Sequence, residues 1–235
     1  MPNSNEQIAK KAVGKVAAEL IKDEMIVGLG TGSTAAYFID YLIARCREGL
    51  KISAIATSEH SEQQARKGGI PILDINALSL IDVVVDGADE IDRCKRMIKG
   101  GGGALLREKI VANMAREMIV IVDENKVVKH LGAFPLPVEI VAFAHEVTFR
   151  KIQACGYAGA FRLNSNGNLY LTDNGNYIVD IKFATPLSSP EKDNEILHSI
   201  PGVVETGFFF NLAGRVLVGH DDGSVNTIVK ESVLI

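Results

Sequence analysis

MIVGLGTGSTAAYFIDYLIARC (25–46) is the stretch from which the architecture can be read. Met25 to Leu29 is a short apolar run broken by glycine, the pattern of a strand buried on both faces. From Thr34 to Cys46 the apolar residues Ala35, Phe38, Ile39, Leu42 and Ile43 fall at helical spacing. A strand that enters a helix through a glycine corner opens an α/β layer structure. Glycines let the backbone turn sharply and approach a ligand, while the free N–H groups and dipole of a helix start attract an anion. Ser33 and Thr34 add hydroxyl donors. A dinucleotide corner would carry glycine at position 33 and an acid about 20 residues on. Position 33 is serine, no acid sits suitably at the end of the next strand, and the P-loop lysine is absent. The corner suits a single phosphate better than a nucleotide; a plain strand–helix turn capped by Ser33 is the alternative.

Working outward, residues 8 to 20 place Ile8, Ala12, Val16 and Leu20 at helical spacing. Ile52 to Ala56 reads as a strand, and Ser58 to Lys67 as a polar helix closed by Gly68, Gly69 and Pro71. Val83–Val85 and Met118–Val122 are further strands, with a helix from about Ala104 to Arg116 between them. This alternation predicts a Rossmann-like, doubly wound, mostly parallel sheet with helices on both faces. From about Leu131 the texture changes. After Phe134-Pro135-Leu136-Pro137 the order is strand (Val138–Phe143), helix (His145–Cys155), strand (Gly159–Leu163), strand (Tyr177–Phe183), helix (Glu191–Ser199), strand (Val203–Phe208). That βαββαβ order predicts a second, smaller ferredoxin-like α+β domain. Val216–Gly219 and Val225–Val229 flank Asp221-Asp222-Gly223-Ser224 as a hairpin, which is expected to return to the first domain. The expected division is residues 1–130 plus 206–235, and residues 131–205. Phe208-Phe209-Phe210 fits either an interface or a buried strand.

Bulk properties narrow the function. The 235 residues are 47% hydrophobic and 23% charged, with net charge −4 and no basic block, so neither nucleic acid nor an anionic membrane is an expected partner. Met1 to Leu20 carries charges at Glu6, Lys10, Lys11, Lys15 and Glu19, unlike a signal peptide, and no run approaches the ~18 apolar residues of a membrane span. Cys46, Cys94 and Cys155 are odd in number and lack a CxxC pair, which favours reduced thiols serving as packing, and a cytoplasmic location. The five histidines show no paired spacing, and there is no GxSxG elbow.

Two further corners carry chemistry. Val83-Val84-Val85-Asp86-Gly87-Ala88-Asp89 delivers Asp86 at the carboxyl end of a buried strand, where open α/β sheets bind ligands, with Asp89 three residues on. Two acids so close could bind Mg²⁺, act as acid and base, or cap a turn; the lack of a nearby histidine weakens a transition-metal reading. The third corner is Lys99 followed by Gly100, Gly101, Gly102 and Gly103 and then a helix. Four glycines in a row cost conformational entropy, and close approach of backbone N–H groups to an anionic oxygen supplies a reason. Lys99 would add a mobile charge at the rim. At about 100° per residue, Glu108 sits roughly 200° round from Leu106, away from the expected stripe of Leu106, Ile110 and Met114. Such a glutamate is ordinarily solvated; only its place one turn beyond the glycines suggests otherwise.

In this order, GLGTGSTA (28–35), DGADEID (86–92), KGGGGALLREKI (99–110) and FPLPVEI (134–140), with TDNGNYIVD (172–180) and IPGVVETG (200–207), closely resemble ribose-5-phosphate isomerase of type A. Gly103, where alanine is common, and Leu106, where a small polar residue is common, depart from the pattern without removing a functional group. The resemblance implies interconversion of ribose 5-phosphate and ribulose 5-phosphate through an enediolate, in the non-oxidative pentose phosphate pathway. It implies no metal or other cofactor, and a homodimer or a dimer of dimers. Glu108 would be the base, and Asp86 would help open the sugar ring. Lys99, Asp89 and the amides of Gly100, Gly101 and Gly102 would settle the enediolate charge. Thr31, Gly32, Ser33 and Thr34 would bind near the phosphate, with Lys126 and the Asp86-Gly87-Ala88-Asp89 turn completing the substrate site. Lys10 is read as a helix-surface lysine. Two rivals remain: a sugar-phosphate-binding regulatory module, which should carry a DNA-binding helix-turn-helix, and a nucleotide-dependent oxidoreductase, which Ser33 disfavours.

Overall fold

The computed structural model describes residues 4–228. In chain order the elements are α1 (Ser4–Glu19), β1 (Ile26–Leu29), α2 (Ser33–Arg47), β2 (Ser53–Ala56), α3 (Glu59–Lys67), β3 (Val83–Asp86), β4 (Glu90–Ile91), β5 (Met97–Ile98), α4 (Leu105–Met114) and β6 (Met118–Asp123). They continue with β7 (Leu136–Ile140), α5 (His145–Ala154), β8 (Gly159–Phe161), β9 (Tyr177–Ile181), α6 (Pro190–His198), β10 (Val203–Thr206), β11 (Phe208–Phe209), β12 (Ala213–Gly219) and β13 (Val225–Thr227).

The large sheet runs β13-β12-β6-β3-β1-β2. Its pairings are parallel except for β12 with β13. Alternate residues of each strand feed opposite cores, as the pleat demands. Val83, Val85, Ile119 and Ile121 pack with Val13 and Ala17 of α1, Phe38, Ile39 and Leu42 of α2, and Ala65 of α3. Val84, Val120 and Val122 face the other way, onto Leu105, Val111 and Ala112 of α4. Helices therefore cover both faces of a mainly parallel sheet, as the alternation predicts. Among the described residues no helix is long and apolar enough to cross a membrane.

The small sheet is antiparallel throughout, in the order β10-β7-β9-β8. Taken as four consecutive strands this is 4-1-3-2, the split βαβ arrangement. Ile152 of α5 and Leu197 of α6 close its core over Val138, Ile140, Val179 and Ile181. The chain then returns, and β12 pairs in parallel with β6. The hairpin partner of β12 ends at Thr227; Val229, placed in that hairpin by the sequence, lies outside the described residues with the rest of the tail.

Several expectations need correction. The strand expected over Val203–Phe208 breaks at Gly207, and Phe208–Phe209 forms a separate strand against β5 in a three-stranded sheet β11-β5-β4. Phe208 and Phe209 are buried, so this pair is core. On α1 the buried stripe is Ala9, Val13 and Ala17, while Ile8 is 44% exposed. Small residues win there because the helices approach closely: a Cβ on Gly14 would lie 2.9 Å from the Phe38 nitrogen of α2. Packing accounts for half-buried Cys46, which lies against the large-sheet core, but not for exposed Cys155.

Candidate active site

The carboxyl ends of β1 and β3 are neighbours in the parallel sheet, so the first two corners meet there. Asp86 is 1% exposed, and its Oδ1 accepts N–H bonds from Thr31 (3.0 Å) and Gly87 (2.8 Å). A Cβ on Gly30 would stand 2.2 Å from that oxygen, so glycine is required at position 30 for Asp86 to reach the turn. Ser61 Oγ donates to the Gly30 carbonyl at 2.6 Å, and the Thr31 and Thr57 hydroxyls lie 2.7 Å apart. The N-cap of α2 is Gly32, at φ 106°, rather than Ser33. Ser33 Oγ instead accepts a 3.1 Å bond from Lys10 Nζ.

Lys10 is therefore not a surface lysine: it is 8% exposed and shares the buried side of α1 with Val13 and Ala17. The displaced stripe on α1 carries it inward, beside Ser33, with Glu6 paired to it one turn earlier. The signal was present in the small-residue pattern Ala9, Val13, Ala17, which larger apolar residues one position away obscured.

The third corner lies against the second. Lys99 is 2% exposed, not mobile at the rim. Its Nζ donates to the Gly87 carbonyl at 2.6 Å and lies 3.0 Å from Asp86 Oδ2, 3.5 Å from Glu108 Oε2 and 5.4 Å from the Phe209 ring centre. Burial opposes the charge on Lys99, but Asp86 and Glu108 outweigh it and hold its pKa above the ordinary value. Glu108 is also buried, and its Oε2 has no hydrogen-bond partner among the described residues. The buried face of α4 is Leu105, Glu108, Val111 and Ala112, while Ile110 is 47% exposed. The expected stripe through Leu106 and Ile110 was thus nearly opposite to the true one. Burial, reinforced by the charges of Asp86 and Asp89, raises the Glu108 pKa to about 8 against the pull of Lys99.

Asp89 Oδ2 accepts the Gly101 N–H at 2.7 Å, and burial raises its pKa despite that bond. The glycine run turns at positive φ at Gly100 (101°) and Gly103 (84°), and the Gly103 N–H closes onto the Gly100 carbonyl at 2.9 Å.

These groups line one cleft of about 120 Å³: Lys10, Thr31, Gly32, Ser33, Thr34, Gly87, Ala88, Asp89, Lys99, Gly100, Gly101, Gly102, Glu108 and Lys126. Asp86 stands one layer behind, reached through Lys99. The position between Asp86 and Glu108, where a divalent ion bridging them would sit, is taken by the Lys99 ammonium. A raised-pKa carboxylate, a buried ammonium and backbone donors on the cleft wall can move a proton from carbon and stabilise the resulting oxyanion. The Lys10–Ser33 corner supplies an anion anchor for the rest of the ligand.

The profile of the family Ribose 5-phosphate isomerase A (phosphoriboisomerase A) matches residues 53–223. A ribose-5-phosphate isomerase A of Protochlamydia amoebophila is 53% identical over 220 residues, 94% of this chain and 95% of that protein. The solved structure of ribose 5-phosphate isomerase A from Methanocaldococcus jannaschii superposes with TM-score 0.88 at 40% identity, covering 95% of this chain and 98% of the other. A D-ribose-5-phosphate isomerase solved in complex with phospho-erythronic acid gives TM-score 0.88 at 37% identity over the same shares.

Proposed function

Because the chain belongs to the ribose 5-phosphate isomerase A family and interconverts ribose 5-phosphate and ribulose 5-phosphate, we propose how its cleft does so. Glu108 removes the C2 proton of the open-chain aldose and returns it to C1, one carboxylate serving both carbons across a cis enediolate, while the hydroxyl proton on O2 passes to O1 so that the carbonyl moves from C1 to C2. The observation that carries this is the buried Glu108 on the cleft wall, its Oε2 without a hydrogen bond and ion-paired to Lys99 Nζ at 3.5 Å. Lys99 and the amides of Gly101 and Gly102, the Gly101 N–H shared with Asp89 Oδ2, meet the charge that develops on the substrate oxygen, where fixed donors act without the reorganisation that water would need. Asp86 acts through Lys99, which it holds. Asp89, on the cleft wall with a pKa raised by burial, is better placed to handle a hydroxyl proton during ring opening. Thr31, Gly32, Ser33, Thr34, Lys10 and Lys126 hold the phosphate, whose binding energy positions the reacting carbons. The reaction shifts hydrogen without net oxidation and so needs no redox cofactor.

The same reading places the reaction in the non-oxidative pentose phosphate pathway, in the cytoplasm, in a homodimer or dimer of dimers. It divides the chain into residues 1–130 with 206–235, and 131–205; the change from parallel to antiparallel pairing supports that division. Exposed Phe143, Leu163 and Leu171 favour association through the small-sheet side, which sedimentation would measure.

Glu108→Gln is the direct test. Turnover should fall by about 10²–10⁴-fold or more, while calorimetry still records ribose 5-phosphate binding. Normal turnover in that variant would remove Glu108 as the base.

A further inference from the structure

A loop of glycines has no side chains with which to hold itself, yet an oxyanion site works only if its donors are fixed before the charge appears. The restraint comes from the small sheet. Arg162, directly after β8, donates from one terminal nitrogen to the carbonyls of Gly100 (2.8 Å) and Gly101 (3.0 Å). Its other nitrogens grip Asp180 of β9, at 2.9 Å to Oδ2 and 2.5 Å to Oδ1, which fixes the plane of the guanidinium. Tyr170 Oη donates to the next carbonyl, Gly102, at 3.2 Å, and the Arg162 guanidinium lies 5.8 Å from the Tyr170 ring centre. Three consecutive carbonyls are thus pulled to one side.

In a trans peptide the carbonyl and the following N–H point in opposite directions. Holding the Gly100 and Gly101 carbonyls toward Arg162 therefore aims the Gly101 and Gly102 amides the other way. The Gly101 N–H confirms the sense, since it reaches Asp89 on the cleft wall. A cation at the carbonyl end also polarises the peptide, making its N–H a stronger donor.

We propose that Arg162, anchored by Asp180 and backed by Tyr170, is a positioning residue for the isomerisation: it orients and polarises the glycine loop so that its amides meet the enediolate oxygen. This rests on the reading of those amides as oxyanion donors. A mere staple between the sheets would serve bound substrate and reacting substrate alike. A positioning residue serves the anionic intermediate selectively.

Two probes separate these roles. Phospho-erythronic acid presents a carboxylate where the enediolate forms, whereas erythritol 4-phosphate ends in a neutral alcohol. In Arg162→Met, kcat should fall about 10- to 100-fold, less than the 10²–10³ of losing an oxyanion donor outright, with KM changed no more than about threefold. Affinity for the acid should fall by a similar factor and affinity for the alcohol should hold, with Arg162→Lys intermediate because a single ammonium lacks the fork. Equal loss of affinity for acid and alcohol, or an unchanged kcat, would overturn the proposal. If Arg162→Met does not fold, Tyr170→Phe gives the same comparison: a selective loss of acid affinity of about threefold supports it, and a parallel loss or none refutes it. The wild type must itself prefer the acid. If it does not, the oxyanion reading fails and this inference with it, whereas a wild-type preference that survives intact in Arg162→Met overturns only the role of Arg162.

Discussion

Asp86 and Glu108 share one ammonium, that of Lys99, with the charge of Asp89 nearby, and Glu108 bears the largest consequence because it is buried and has no hydrogen bond to its Oε2. A base must be ionised to act, so kcat/KM should climb with pH through about 8 on its acidic limb; a limb near the ordinary glutamate range would show the carboxyl unperturbed. Stability runs the opposite way. A carboxyl with a raised folded pKa binds more protons folded than unfolded between about 4.5 and about 8, so the native state loses stability as pH rises through that window. Glu108→Gln removes the penalty, and its Tm should exceed the wild-type value by a wider margin above pH 8 than below pH 4.5, at roughly 2–4 °C per kcal/mol. A margin independent of pH would contradict this. Lys10→Met should raise KM about 10- to 100-fold with kcat little changed, the worth of a hydrogen bond to a charged group. Equal damage to kcat would mean that Lys10 acts on the reacting carbons. These two residues were unevenly legible. Glu108 was marked by its place after the glycine run, though the assumed face of α4 pointed it into water. Lys10 was hidden because the sequence weighed large apolar residues over the small ones that close helix packing selects.

Among the elements, the glycine loop is fitted closely against the small-sheet side at its last residue. A Cβ on Gly103 would meet Tyr170 Oη at 2.4 Å, and φ there is 84°. Gly103→Ala should therefore lose stability and activity, with about 1–2 kcal/mol from the left-handed backbone alone. Adding Tyr170→Ala should recover the collision but not the backbone part, which a double-mutant cycle on Tm would resolve; no coupling between the two would refute the contact. Long elements were readable: the strands of the large sheet carry apolar runs and α2 carries its stripe. β4, β5 and β11 were not, because two residues have no periodicity to read. Those short strands nevertheless place Lys99, whose backbone N–H bonds the Gly207 carbonyl at 2.8 Å.

For the molecule as a whole, the site depends on ties between the two sheets. Lys109, next to Glu108 on α4, donates to Glu205 (2.6 Å) and to the Thr206 carbonyl (2.8 Å) of β10, and His198 Nε2 lies 2.8 Å from Glu205. Burial works against the Glu205 charge, yet His198 and Lys109 together bring its pKa down to about 2. A depressed carboxyl stabilises fully above its ordinary value near 4.5 and ceases to do so as pH falls toward about 2. Glu205→Gln should accordingly lower Tm at neutral pH, with the deficit closing on acidification; a constant deficit would assign it to packing. Both architectures were legible from element order, whereas these ties were not, since partners 96 residues apart leave no spacing to recognise. The position of β12 has a consequence for biosynthesis. Translation delivers β6 nearly a hundred residues before β12, the strand that lies against it in parallel. Until β12 has emerged from the ribosome, the nascent sheet carries an open, largely apolar border, so the growing polypeptide is most vulnerable to aggregation, and most in need of a chaperone, while the intervening small sheet is being made.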